Sequence, residues 1–180
     1  MGLMAAAVLW GFAEATLFLI VPDVLLTGIA VRRGRRVALM AAAWTVVGAV
    51  GGGALMYRWG AQDPVGAVAM LDRLPAISPD MFARVGGDLR RAGPAAMAVG
   101  AFSGVPYKIY AVMAPGAMIG LGAFLAASVP VRAARLIAIV FISDWLNGRL
   151  AARLPGRRRM ALLAVVWVVF YAAYFAFMPN

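Results

Sequence analysis

Residues Val37–Met56 read VALMAAAWTVVGAVGGGALM, a run of 20 residues without a charge. Coiled as an α-helix at about 1.5 Å per residue, the run spans about 30 Å, the thickness of a bilayer's hydrocarbon core. It predicts a transmembrane helix. Arg32, Arg33, Arg35 and Arg36 precede it and Tyr57-Arg58-Trp59 follows, a basic cluster and an aromatic collar suited to the two membrane interfaces. Within the run Ala41, Thr45, Gly48 and Gly52 recur every three or four residues. That stripe of small side chains lets a second helix approach closely. Gly51-Gly52-Gly53 lacks the Lys-Ser/Thr that follows a phosphate-binding glycine loop, so it serves packing.

Working outward, Met160–Met178 is a second uncharged run, of 19 residues. A third span runs from Leu121 to about Leu146, interrupted by Pro130, Arg132 and Arg135, and is long enough to cross with a tilt or a kink at the proline. The chain of 180 residues is 64% hydrophobic with a mean hydropathy of +0.89, against about 45–50% apolar in a soluble domain. These values define a single all-α integral membrane domain. A net charge of +10 would suit nucleic acid, but the arginines cluster beside apolar runs without interleaved aromatics. That pattern excludes nucleic acid as the partner and belongs to cytoplasmic loops and anionic lipid. The chain has no cysteine and no histidine, which removes disulfides, thiolate nucleophiles, histidine phosphotransfer and the common zinc sites. The N-terminal stretch has no basic lead and contains Glu14, which argues against a cleaved signal peptide. An intramembrane hydrolase using an aspartate with Ser128 or Ser143 is the one enzymatic alternative. The expectation is a non-enzyme without cofactor or metal.

Two apolar segments do not behave as simple spans. Residues 4–31 contain Glu14 and then Val21-Pro22-Asp23, and residues 95–119 contain Gly104-Val105-Pro106-Tyr107-Lys108 and then Pro115-Gly116. Each combines a helix breaker with a charge near its centre. Irregular backbone at membrane depth survives only where protein or a water-filled cavity covers it, so a re-entrant hairpin is expected in both places, with a single kinked span as the alternative. Val21-Pro22 and Val105-Pro106 are 84 residues apart, and in both halves a long apolar helix starts about 15 residues after the proline. The order predicts a repeat: residues 4–57 as hairpin plus span, 58–94 as an interfacial connection, 95–148 as hairpin plus span, and 160–178 as a last span.

Charge sets the expected topology. Four arginines fall within residues 32–36 and five within 149–159, whereas five are spread over residues 58–91 among Asp63, Asp72, Asp80 and Asp88. The two dense clusters are expected in the cytoplasm. The halves are then inverted, and the two opposed hairpins meet tip to tip near the midplane. In the connection, Ser78-Pro79-Asp80 resembles a helix start, Phe82, Val85 and Leu89 share a face, and Gly93-Pro94 closes a short amphipathic helix, with a plain loop as the alternative.

The same topology collects the expensive residues. A charge at the bilayer centre costs about 2.5–3.5 kcal/mol, so Glu14, Asp23, Lys108, Arg132 and Arg135 are expected to serve a polar ligand, a proton or each other. Arg132 and Arg135 are three apart on one helix, share a face, and present planar forks suited to phosphate oxygens. Lys108 adds a point charge from a hairpin tip. Glu14 and Asp23 either exchange protons or neutralise the basic groups, and the residues alone leave both roles open. Asp144, near the end of its helix, is expected to cap it or pair with Arg149.

The stretch Phe102-Ser-Gly-Val-Pro-Tyr-Lys-Ile-Tyr110, then Pro115-Gly116, then Phe124-Leu-Ala-Ala-Ser128 and Val131-Arg132-Ala-Ala-Arg135, resembles the second-half signature of the DedA (VTT-domain, SNARE-associated) membrane proteins, closest to their YqaA-like branch. The resemblance covers roughly residues 9–150 and is stronger in the second half than in the first. Val131 stands where a glycine is expected before the first arginine, and Lys108 where the better-studied branch has arginine. The resemblance implies opposed re-entrant hairpins in a multi-pass protein of the bacterial inner membrane. It also implies a flippase or scramblase for an anionic lipid phosphate, undecaprenyl phosphate or a phospholipid, with dependence on proton motive force. On that resemblance Arg132, Arg135, Lys108 and Tyr107 would bind the head group, and Glu14 and Asp23 would couple protons. Self-association of the chain is left open. The alternatives are a small-ion or proton-coupled transporter and a non-transporting membrane assembly factor.

Overall fold

The computed structural model describes residues 2–177, apart from the Phe102 side chain. The chain opens with α1 (Gly2–Ala15) and α2 (Asp23–Arg33), joined by a bend at residues 16–22, and then enters α3 (Arg35–Gln62). The central connection holds α4 (Pro64–Asp72) and α5 (Pro79–Ala92). A second broken pair, α6 (Ala96–Ser103) and α7 (Tyr107–Met113), leads to α8 (Leu121–Ala151), and α9 (Gly156–Phe177) closes the described chain. No strand occurs among the described residues.

α3, α8 and α9 are long and apolar enough to cross a membrane. α3 outruns its uncharged stretch at both ends and α9 begins at Gly156 rather than Met160; the expected end at Met178 lies outside the described residues. Arginine is a good helix former whose long stem carries its charge back to water. Hydropathy therefore marks where the lipid tails end, while the backbone ladder continues to Gly34, at φ +81°, before α3 and to Pro155 before α9. α8 runs through Pro130, which faces outward on the exposed side of the helix, so the proline ends nothing.

The small-residue stripe of α3 receives α1. A Cβ at Gly48 would fall on the Val8 carbonyl, one at Gly11 on the Thr45 carbonyl, and one at Gly52 would lie 2.7 Å from the Phe12 carbonyl oxygen. Between lipid-solvated helices, backbone contact of this kind takes the place of the hydrophobic effect. Ala7, Leu26, Ala38, Ala42, Leu136 and Val140 continue the packing among α1, α2, α3 and α8. A second cluster, built on Met56, Phe82, Leu89, Ile109 and Phe124, joins the far end of α3 to α5, α7 and α8.

The connection is more helical than its sequence suggests. α4 was not expected, although Asp63-Pro64 uses ordinary start grammar: the Asp63 carboxylate accepts the Gly66 N–H at 2.9 Å and Pro64 needs no donor. α5 forms as expected, with Phe82, Val85 and Leu89 buried, but the Ser78 side chain makes no cap hydrogen bond. Gly86 lies on the buried face against Met113, where its lack of a side chain admits the neighbour.

Both arginine clusters lie at one end. Arg32 shares a crevice with Arg157 and Arg159, and Arg35 approaches Asp144 at 4.0 Å. The expected pairing of Asp144 with Arg149 is not made; Arg149 instead lies over the Trp145 ring, 4.8 Å from its centre. α4 and α5 occupy the other end of α3.

Candidate functional site

The first bend is a compact loop pinned from three sides. The Phe18 N–H donates to the Ala13 carbonyl, Trp10 Nε1 donates to the Ile20 carbonyl at 2.9 Å, and the Val21 N–H donates to the Tyr171 hydroxyl of α9 at 2.8 Å. Pro22 then precedes α2 as its N-cap residue, and Asp23 falls in the first turn, where the helix dipole favours a negative charge. In the second break Gly104, at φ +81°, ends α6, and extended Pro106 leads into α7. Glycine takes that left-handed conformation without a Cβ penalty. Lys108 follows one residue into α7 and is buried, with 2% of its surface exposed. The two breaks touch: Lys108 Nζ donates to the Phe18 carbonyl at 2.8 Å.

α8 supplies the facing wall. Arg132 Nη2 is ion-paired with Glu14 Oε2, and the guanidinium lies over the Tyr107 ring at 4.4 Å. Arg135 Nη2 meets Asp23 Oδ2 at 2.7 Å. The Tyr107 hydroxyl donates to Ser128 Oγ at 3.0 Å while its ring stacks on Phe124, and Gly53 of α3 leaves the space for that hydroxyl. All six residues singled out from sequence thus fall in one neighbourhood. The arginines are not free, however, since each carries a carboxylate partner.

A cavity of about 590 Å³ opens beside this network, within the roughly 300–1,000 Å³ of small-molecule sites. Glu14, Asp23, Lys108 and Arg135 line it; Arg132 does not, and borders instead a void of about 40 Å³ next to Ser128. Three cations face two carboxylates, which leaves one positive charge over. Lys108 is that charge: among the described residues it has no carboxylate partner, only the Phe18 carbonyl. Its place in the first turn of a helix adds no relief, because the dipole there repels a cation. Asp23 Oδ1 is buried without a partner among the described residues, so the site also holds a spare acceptor. No group of three or more Asp and Glu side chains gathers as a metal site among the described residues.

The remaining wall comes from α9, which sequence reasoning treated as a plain span. Trp167 Nε1 donates to Thr27 Oγ1 at 3.0 Å, and Trp167, Phe170, Tyr171 and Tyr174 line the cavity. A signal was present in the spacing of Trp167, Tyr171 and Tyr174, four and three apart on one face of a helix, together with the hydroxyl of Thr27 in an apolar segment. Comparison with protein-family models, with curated proteins and with solved structures finds no match to this chain.

Proposed function

We propose that the chain is a membrane transporter of the DedA type, a flippase or scramblase for an anionic lipid phosphate, undecaprenyl phosphate or a phospholipid, in the bacterial inner membrane. Support comes from one observation above all: two broken helical segments and α8 bring five charged side chains together, four of them lining a cavity with largely apolar and aromatic walls, and one of these, Lys108, is a cation without a carboxylate partner among the described residues. A buried, uncompensated ammonium is costly in lipid and is relieved by an anion. The phosphate of a lipid head group supplies that anion while its tails stay among the helices.

In this reading α1–α2 and α6–α7 are opposed re-entrant hairpins of an inverted repeat. Neither pair contains a helix that could cross alone, since the longest, α1 at 14 residues, covers about 21 Å of the roughly 30 Å core. Lys108 takes the phosphate oxygens first. Protonation of Asp23 or Glu14 would then release the fork of Arg135 or Arg132 to complete the grip, which ties anion binding to proton uptake. Tyr107 keeps Arg132 oriented through its ring.

Reconstitution into proteoliposomes tests the proposal. The wild-type protein is expected to move a labelled anionic lipid phosphate across the bilayer, Lys108→Ala to lose at least 10-fold in rate, and Lys108→Arg to retain most of it, since one charge-assisted hydrogen bond is worth about 1.5–3 kcal/mol. Glu14→Gln is expected to blunt the response to a proton gradient. Transport by Lys108→Ala at the wild-type rate would sink the reading. Ion flux without lipid would replace it by a small-ion transporter, and the absence of any flux by an assembly factor.

A further inference from the structure

The arginine-rich end of the molecule takes no part in the cavity around Lys108. Arg32, in the last turn of α2, and Arg157 and Arg159, in the first turn of α9, line one crevice of about 520 Å³ whose other walls are Val31, Gly156 and Met160. Acid is scarce there. Of the nine arginines within residues 32–36 and 149–159, Arg35 alone comes within ion-pair reach of a carboxylate among the described residues, at 4.0 Å from Asp144. Arg159 is held in place, with Nη1 donating to Asn147 Oδ1 at 2.6 Å, and its buried Nε has no partner among the described residues.

The level of the crevice is set by its neighbours. Arg35 and Arg149 lie over the rings of Phe141 and Trp145 at 5.2 and 4.8 Å, an aromatic and basic belt of the kind found at the membrane interface. Val31 and Met160 continue apolar surface from the crevice towards the hydrocarbon. Guanidinium groups above an apolar floor match a phosphodiester whose acyl chains run down along the helices, and basic pockets between transmembrane helices commonly hold such head groups. We propose that the α2–α9 crevice binds the head group of an anionic phospholipid of the surrounding bilayer, at a site separate from the cavity. The consequence is mechanical. α9 has no buried residue and is tied to the first bend by the Tyr171 hydrogen bond and to α2 by that of Trp167, so a phosphate shared by Arg32, Arg157 and Arg159 replaces repulsion between like charges with a clamp on the start of that helix.

Purified protein in neutral detergent is titrated with phosphatidylglycerol, with phosphatidylcholine of the same chains, with inorganic phosphate and with a single-stranded oligonucleotide, and Tm is followed. Phosphatidylglycerol is expected to raise Tm saturably and to slow amide exchange at the start of α9. The variant Arg32→Ala/Arg157→Ala/Arg159→Ala should shift the midpoint by about 100-fold, at roughly a fivefold loss per arginine. Arg84→Ala/Arg90→Ala/Arg91→Ala, which removes equal charge from α5 at the far end, should leave it unchanged. Equal stabilisation by phosphatidylcholine, by inorganic phosphate or by the oligonucleotide, or a triple variant that binds as the wild type does, overturns the proposal. None of these outcomes depends on whether lipid is transported.

Discussion

Arg132 is 8% exposed, with a carboxylate on one side and an aromatic face on the other, and its removal strands Glu14 at the same depth. Breaking a buried pair costs about 3–5 kcal/mol because the surviving charge stays buried, whereas replacing both partners by apolar groups of similar volume is often neutral. Arg132→Ala is therefore expected to lower Tm in detergent by a large margin, and Glu14→Leu/Arg132→Met to recover most of it. An equal loss in the double variant would show that the pair does more than neutralise charge. The types and spacings of these residues were legible in the chain, since charges in apolar runs are conspicuous. Which carboxylate meets which guanidinium was not. Glu14 with Arg132 and Asp23 with Arg135 depends on how α1, α2 and α8 pack, and no local periodicity encodes a contact between residues more than 100 positions apart.

Among the elements, the contact of α1 with α3 is the most demanding. A side chain at Gly48 must displace the Val8 carbonyl, while one at Gly51 meets only the Phe12 ring at an ordinary 3.6 Å. Gly48→Val is thus expected to lower Tm strongly, by overpacking worth about 1–3 kcal/mol or more, and Gly51→Ala to change it little or raise it, since alanine is the better helix former. Similar Tm values for the two variants would remove the helix contact as the explanation. The stripe on α3 was readable because it obeys the helical period. Its partner was not, because small residues such as those of α1 occur in several segments and the same stripe could accept any of those helices. α4 was missed for a different reason: its Asp63-Pro64 start is brief, and the weak amphipathicity of Pro64–Asp72 offers no period to follow.

At the scale of the whole molecule, α9 is the loosest part and still completes the site. Tyr171→Phe removes the acceptor of the Val21 N–H and leaves that donor unpaired, at a cost of about 1–3 kcal/mol. Faster hydrogen exchange at residues 16–22 in this variant is the expected result; unchanged exchange would mean that α9 does not brace the bend. The topology has its own test, helped by the absence of native cysteine. Cysteines introduced at Arg33 and Arg158 should react with an impermeant reagent from the same side of the membrane, and one at Arg84 from the other. Labelling of Arg33 and Arg158 from opposite sides would contradict the packing of α2 against α9. Membrane residence, the three long helices and the breaks at Val21-Pro22 and Val105-Pro106 follow from one-dimensional rules, the length of uncharged runs and the chemistry of proline and glycine, so the chain alone was enough for them. The cavity, the pairing that leaves Lys108 as the uncompensated cation, and the aromatic wall of α9 arise only when segments far apart in sequence are packed. Those properties belong to distances between helices, and the helices carry on their surfaces no record of which neighbour will fill them.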